Sequence, residues 1–373
     1  MEKNRIKMIN TIQLLLYKEN SSIFEKINFE EESIFLEPLL FIYFNAKKDK
    51  IFSTAMLSEI IQGYFVEKEP LLLNESFNDL GVAYVPKLGY FDRGGIKVED
   101  ICIIDNSSIE LLIYPIVHLK TIFRDLSEIV LDWNKIEISN DFILKNKKAL
   151  TTAIQYMKKS NKAHFNLIEQ CCKKIVLFKT DPKNTNSFAT INAHGIAFLN
   201  VYQDEYDEVF FVDDIAHQTG HIILTTILFE RKKYFLIDEN INIGTIIKNK
   251  LEYRSFYVLF HALYTYYTTF LCLDACLENN FFDNRQAYEA KGRIGFYLQK
   301  CKMDLMNFQK VVDYYKGINN VLSCDGIEIF QNIENKYFEM LKTNNNAPSF
   351  NFKNHPYNFT YSEFIKLNKL KND

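Results

Sequence analysis

The sequence has little glycine and proline, with 12 glycines and 7 prolines among 373 residues. A fold of many short strands needs frequent tight turns, and these two residue types supply most of them. Their scarcity disfavours an all-β sandwich or barrel and favours long helices. Because 47% of the residues are hydrophobic, a buried core is expected and disorder is not. At about 150 residues per domain, the length predicts about two domains.

The chain also lacks an excess of charge of either sign. The formal net charge is −3, and no basic block of the kind that binds nucleic acid is present. The seven cysteines include no C-x-x-C pair, which favours a reduced, cytoplasmic protein. The apolar patch of residues 1–22 is interrupted by polar residues and has no small-residue cleavage site, so it predicts an amphipathic helix and not a signal peptide.

One uncharged stretch, residues 255–273 ("SFYVLFHALYTYYTTFLCL"), approaches the length of a membrane span. It contains His261, several tyrosines and several threonines, and it is bracketed by Glu252, Arg254 and Asp274. These polar groups are costly in lipid. The stretch therefore predicts a buried helix of a soluble protein, with no membrane partner.

Hydrophobic periodicity divides the chain into helical and strand-like parts. Residues 119–172 follow a helical pattern, as do residues 1–63. Residues 64–118 are irregular with short strand-like runs, and the run "KIVLFKT" (174–180) together with the alternating segment 187–201 predicts a hairpin or two strands. Further helices are predicted at about 213–227, 252–278, 286–315 and 326–342.

This order predicts a mainly α fold with a small β-sheet, an α+β class. We expect a mostly helical N-terminal region (1–170), a metal-binding catalytic core (171–345) and a polar C-terminal tail (346–373). In the core, the small sheet is expected beside a helix that carries metal ligands, as in a reduced zincin-like core. Oligomeric state is not determined by these patterns.

The predicted metal helix contains "DDIAHQTGHIIL" (213–224), in which His217 and His221 are four residues apart. Positions i and i+4 lie on one face of a helix, so both imidazoles can reach one ion. The spacing is that of the zinc-protease motif H-E-x-x-H, with Gln218 in place of the glutamate. The alternative is a pair of hydrogen-bonded histidines without a metal.

Two acidic residues, Asp213 and Asp214, lie four and three positions before His217. Three roles are open for them. They can cap the helix, interact with its N-terminal dipole, or orient a ligand imidazole.

A third ligand and an anion partner follow on the next predicted helix. His261 lies forty residues beyond His221, where a helix–turn–helix return can bring it back. Arg254 lies two helical turns before His261, and a buried arginine needs an anion, such as a small carboxylate cosubstrate. The alternatives are a core histidine and a salt bridge from Arg254 to Glu252, Asp238 or another acid.

His194, in "NAHGIAF", is a further candidate for the site. It lies on the strand that is expected to run beside the metal helix. The alternative is a strand histidine that faces solvent.

The missing glutamate bears on the reaction. In a zinc hydrolase that glutamate takes a proton from metal-bound water, and glutamine cannot do so. A hydrolase would need another base, such as Asp213, Asp214 or Glu239. Iron(II) oxygenases instead keep coordination positions open for a keto acid and O2, and they need no such base. The sequence therefore permits oxygenase chemistry and argues against peptide hydrolysis.

Residues 172–280 resemble the core of the HExxH-type peptide β-hydroxylases, enzymes that use 2-oxoglutarate and iron to modify ribosomally made peptides in natural-product biosynthesis. The resemblance lies in a strand segment containing a glycine, an acidic approach, the H-x-x-x-H helix, and the later run "YRSFYVLFHALYTYY" (253–267). It covers under a third of the chain, and Gln218 departs from the usual glutamate.

The resemblance implies that His217, His221 and His261 bind Fe(II), that Arg254 binds a carboxylate of 2-oxoglutarate, and that a precursor peptide is the substrate. The N-terminal region would help to bind that peptide. Two alternatives stay open. One is a zinc-dependent hydrolase with an atypical base, and the other is a non-catalytic peptide-binding protein with a degenerate metal site.

Overall fold

The computed structural model describes residues 1–46, 52–125, 135–203 and 206–368. Helices predominate and small sheets accompany them, which confirms the predicted mainly helical α+β class. The α-helices of the described residues are α1 (Glu2–Glu19), α2 (Glu32–Phe35), α3 (Pro38–Ala46), α4 (Thr54–Ile61), α5 (Leu119–Asp125), α6 (Asn140–Ser160), α7 (Lys162–Cys171), α8 (Glu208–Ile227), α9 (Ile243–Ile247), α10 (Phe256–Glu278), α11 (Asn284–Tyr314), α12 (Cys324–Thr343) and α13 (Tyr361–Leu367).

Short strands form two small sheets. The strands are β1 (Ala83–Val85), β2 (Gly89–Phe91), β3 (Lys97–Glu99), β4 (Cys102–Ile103), β5 (Glu110–Leu112), β6 (Lys174–Phe178) and β7 (Ile196–Asn200). The first three make an antiparallel meander, and the other four make a sheet in the order β4-β5-β6-β7. In the second sheet β5, β6 and β7 are parallel, with Lys174 opposite Ile196 at the start of the β6–β7 register.

The described residues form two compact units, one of residues 1–151 and 166–206 and one of residues 152–165 and 207–373. This division differs from the predicted regions 1–170 and 171–345. The physical reason is strand pairing, because β6 hydrogen-bonds in parallel to β5 and so ties the segment after α7 to the first unit. The small sheet therefore belongs to the first unit and α8 to the second.

The segment 187–201 is not a simple hairpin. Only β7 is a strand, and its one antiparallel contact is the isolated bridge between Phe188 and Phe198. Gly195 precedes β7 with a φ of +93°, a left-handed conformation that glycine adopts without a steric penalty. The parallel pairing was not predicted because β5 lies more than sixty residues earlier in the sequence.

The second unit consists of helices packed around α8, α10 and α11. The apolar α10 is the one described helix long and apolar enough to cross a membrane, and 72% of its apolar window is buried. Such burial is typical of the core helix of a soluble protein. The C-terminal residues also fold, because Phe359 and Phe364 form a buried cluster with Phe296 of α11. Residues 369–373 of the predicted tail lie outside the described residues.

Candidate metal centre

The helix that carries the H-x-x-x-H motif begins earlier than predicted. Asp207 caps α8, and its carboxylate accepts a hydrogen bond from the Val209 N–H. Arg285 of α11 pairs with the same carboxylate. Since the cap is at Asp207, Asp213 and Asp214 do not cap the helix, and the two histidines lie near its middle.

The packing of α8 on α10 brings His221 close to His261. Gly220 lies at the contact, where a Cβ atom would approach Thr268 Oγ1 to 2.3 Å. The same hydroxyl donates to the Ala216 carbonyl, at 2.9 Å, and so joins the two helices directly. The absence of a side-chain atom at position 220 therefore permits the short distance between the helices.

The two histidine rings are in direct contact across this interface. His221 Nδ1 lies 3.1 Å from His261 Nδ1, and the rings stack with their centroids 5.4 Å apart and their planes within 15°. The other ring nitrogen of His261, Nε2, lies 2.7 Å from the hydroxyl of Tyr257, one turn earlier on α10. Tyr257 thus fixes the orientation of the His261 ring.

His217 lies one turn before His221, with the two ring centroids 5.3 Å apart. Its ring stacks on Tyr297 of α11, at a centroid distance of 5.7 Å. Its Nδ1 atom is buried, and no residue in the described ranges offers it a hydrogen bond. A buried ring nitrogen without a partner is costly, and a metal ion is one kind of group that would satisfy it.

All three imidazoles are held in the neutral form. Burial lowers the pKa of His221 to about 4. Burial also lowers the pKa of His217 and of His261 well below the usual range, and in each case His221 lowers it further. Positive charge contributes to the lowered pKa as well, from Lys300 at His217 and from Arg231 at His261. Neutral imidazole is the form that binds a metal.

These residues fit a metal ion in their chemistry and partly in their geometry. Two nitrogen ligands about 2.1 Å from one ion lie about 3.0–3.4 Å from each other, which matches the His221–His261 separation of 3.1 Å. Within the ranges that the structure describes, however, no three His, Cys, Asp or Glu residues already converge as a metal-binding group. A bound ion would need His217 to turn toward the His221–His261 pair.

The acidic residues of α8 are engaged with other groups. Asp213 is buried and accepts a 2.6 Å hydrogen bond from Arg293 of α11. Burial raises the pKa of Asp213, and the Arg293 guanidinium opposes that rise. Asp214 accepts a 3.1 Å hydrogen bond from the amide of Gln218. The residue that replaces the protease glutamate is therefore paired along its own helix.

Arg254 is already neutralised by two carboxylates. Its guanidinium contacts Glu252 at 2.6 Å and Asp304 of α11 at 2.6 Å. The salt bridge to Glu252 was the alternative considered from the sequence, and Asp304 was not anticipated. A cosubstrate carboxylate could reach Arg254 only by displacing one of these partners.

His194 lies in the first unit, at the end of a short 3-10 helix that precedes β7. It is buried, and its ring packs on Phe41 with the centroids 5.3 Å apart. Burial lowers its pKa to about 4. The structure therefore brings together His217, His221, His261 and the residues around them, while His194 belongs to a different unit.

Four residues of the site were not predicted. Tyr257 holds His261, and the guanidinium of Arg231 lies 3.8 Å above the Tyr257 ring. Tyr297 and Lys300 lie on α11, on the side of His217. The α11 residues had a detectable signal, since Arg293, Tyr297, Lys300 and Asp304 are spaced as one face of a helix.

No protein-family model matches this protein, and no curated protein matches it. Function is therefore inferred from the chemistry of the site and from the resemblance carried by residues 172–280.

Proposed function

We propose that this protein is an Fe(II)- and 2-oxoglutarate-dependent oxygenase that hydroxylates an amino-acid residue of a ribosomally made peptide at a C–H bond beyond the backbone. The observation that carries the proposal is the contact between His221 Nδ1 and His261 Nδ1 at 3.1 Å, with His217 one turn away. Three neutral imidazoles on two packed helices are a donor set suited to a divalent transition metal. The proposal includes a zincin-like arrangement in which α8 is the metal helix.

In this proposal His217, His221 and His261 hold the iron, which when bound supplies the oxidising chemistry with the keto acid and O2. Tyr257 orients the His261 ring through its hydrogen bond to Nε2. His217 is only partly buried, so substrate can approach the cluster from its side. Burial keeps the three rings unprotonated and ready to bind.

The residues around the motif support oxygenase over hydrolase chemistry. Gln218 cannot take a proton from metal-bound water. Asp213 is committed to Arg293, and Asp214 accepts the Gln218 amide. Glu239, the remaining candidate base, pairs with Arg231 at 3.2 Å. Each carboxylate that a zinc hydrolase could recruit therefore already has a partner.

The cellular setting and the substrate complete the proposal. All seven cysteines are free thiols, which suits a reducing cytoplasm. A peptide made on the ribosome is available there, and we assign its recognition to the N-terminal region 1–170. Modification of such a peptide would place the protein in a natural-product biosynthetic system.

The test is anaerobic reconstitution with Fe(II), addition of 2-oxoglutarate, and then exposure to air. We expect an absorption band from the keto-acid chelate before air is admitted, and succinate afterwards. His217→Ala should abolish both, whereas His355→Ala, a histidine outside the cluster, should retain them.

Two results would overturn the proposal. Absence of both metal retention and chelate band would favour a peptide-binding protein. Tight zinc binding with chelator-sensitive peptide cleavage would favour a hydrolase.

A further inference from the structure

The face of α11 that reaches α8 and α10 carries a row of charged residues. Arg293, Lys300 and Asp304 lie on it, with Tyr297 between the first two. Arg293 and Asp304 each have an opposite charge in contact, on α8 and near the start of α10 respectively. The row is therefore a set of ion pairs with one position to be explained.

Lys300 is that position. Its ammonium donates a 2.7 Å hydrogen bond to the Tyr357 carbonyl, and it lies 4.3 Å from the centre of the Phe296 ring and 4.0 Å from that of Tyr357. No carboxylate among the described residues forms an ion pair with it. Lys300 is half-buried, and a cation in such surroundings is stabilised by an anion.

The nearby carboxylates are already occupied. Asp213 and Asp304 both act on Lys300 through space, but Asp213 is bonded to Arg293 and Asp304 to Arg254. Arg293 in turn shares Glu289. The two arginines thus use the local negative charge, and Lys300 keeps two N–H donors for a group from outside the protein.

Lys300 is also placed beside the histidine cluster. Its charge is close enough to His217 to lower the pKa of that ring. Tyr297, three residues before Lys300 on the same helix face, stacks on His217. Tyr357, which covers the ammonium, is 79% exposed, so the position is reached from solvent past a single residue.

We propose that Lys300 forms a carboxylate-binding subsite next to His217. This proposal rests on the proposed function in one respect: the carboxylate that it predicts is either the far carboxylate of the keto acid or an acidic group of the peptide. Lys300 makes a charge-assisted hydrogen bond to it, and the rings of Phe296 and Tyr357 exclude water from that bond. In this arrangement Arg254 is a structural residue that holds Asp304.

The first experiment uses the full-length protein without metal and measures binding of glutarate by calorimetry. Lys300→Met should weaken binding about ten-fold, the loss expected for one charge-assisted hydrogen bond. Lys300→Arg should preserve most of it, and Lys302→Met, an exposed lysine on the same helix, should have no effect. Equal binding by Lys300→Met, or no glutarate binding by the unmodified protein, would overturn the subsite.

The second experiment separates the two sources of the carboxylate. In the Fe(II)-loaded protein, we compare 2-oxoglutarate with pyruvate, which has the same chelating group but no second carboxylate. If the keto acid uses Lys300, then Lys300→Met weakens 2-oxoglutarate binding and leaves pyruvate binding unchanged. If a peptide uses it, binding of both keto acids is unchanged and N-acetyl-aspartate amide competes with glutarate while N-acetyl-asparagine amide does not.

Failure of the proposed function has a different signature. The Fe(II) protein would then show no chelate with either keto acid, while the dependence of glutarate binding on Lys300 would persist. Loss of that dependence, with an intact chelate, would overturn the subsite alone.

Discussion

Gly220 of α8 lies against Thr268 of α10 so closely that a Cβ atom on the glycine would be 2.3 Å from the threonine Oγ1. That hydroxyl cannot simply rotate away, because it donates to the Ala216 carbonyl and approaches that of Thr265. The neighbouring residue, His221, meets His261 across the same interface. The helix separation and the histidine contact therefore depend on one small residue.

Gly220→Ala should push α8 and α10 apart. We expect the free energy of unfolding to fall by about 1–3 kcal/mol, the usual cost of overpacking, and metal retention to fall with it. Urea denaturation and metal analysis after dialysis measure the two effects. In a double-mutant cycle with Thr268→Ala, the combined loss should be smaller than the sum of the single losses. Simple additivity would contradict the predicted clash.

Tyr257→Phe should weaken metal binding by about ten-fold, because residues that orient a ligand imidazole typically contribute that much. The variant removes the hydroxyl that lies 2.7 Å from His261 Nε2 and leaves the ring in place. Titration with Fe(II) or Zn(II) against a competing chelator gives the affinity. Tyr253→Phe is the matched control, since Tyr253 is 83% exposed and lies one turn away. An unchanged affinity in Tyr257→Phe would show that the hydroxyl does not support a ligand.

Gln218→Glu, which restores the protease glutamate, should destabilise the protein. It replaces the amide that donates to Asp214 with a second carboxylate on the same helix face. Loss of a buried hydrogen bond and repulsion between like charges together cost about 1–3 kcal/mol. Asp214→Asn combined with Gln218→Glu reverses donor and acceptor and should recover most of the loss in urea denaturation. A stable single variant would count against the pairing.

Acid should destabilise the fold through histidines outside the cluster. Burial lowers the pKa of His118 from 6.5 to about 4 and that of His164 to about 4. The unfolded protein therefore binds protons first as the pH falls through 6.5, and stability is lost from there down to about 4. Each such histidine contributes up to about 1.4 kcal/mol per pH unit in this window.

His118→Leu tests this pH dependence. Both ring nitrogens of His118 are buried, without a hydrogen-bond partner among the described residues, so leucine removes a titrating group and little else. The fall in unfolding free energy between about pH 6.5 and 5.5 should be smaller in the variant by about 1 kcal/mol. Parallel curves for the two proteins would mean that His118 is not held neutral in the folded state.

Much of the secondary structure was predictable because it depends on local periodicity. The predicted helices at 252–278, 286–315 and 326–342 agree closely with α10, α11 and α12. The parallel pairing of β5 with β6 was missed, because it joins segments that no local pattern relates. The start of α8 was also placed too late, since the capping residue Asp207 lies in a charged run that resembles a loop.

The candidate site divides in the same way. The i, i+4 spacing of His217 and His221 and the substitution at Gln218 are properties of the sequence, because residues four apart share a helix face whatever surrounds them. The partners of Arg254 are not, since Asp304 lies fifty residues away on another helix. Which charges remain unpaired depends on every contact around them, and Lys300 was therefore visible only in the structure.

By itself the sequence determined the helical class, the absence of the protease base and the placing of two histidines on one helix face. The tertiary structure decided that His221 meets His261, that Tyr257 holds the pair, and that Lys300 keeps its charge beside His217. The physical reason is the range of the forces involved. Backbone hydrogen bonds and hydrophobic periodicity act within a few residues, whereas the register between helices is set by contacts such as that of Gly220 with Thr268, which are remote in sequence.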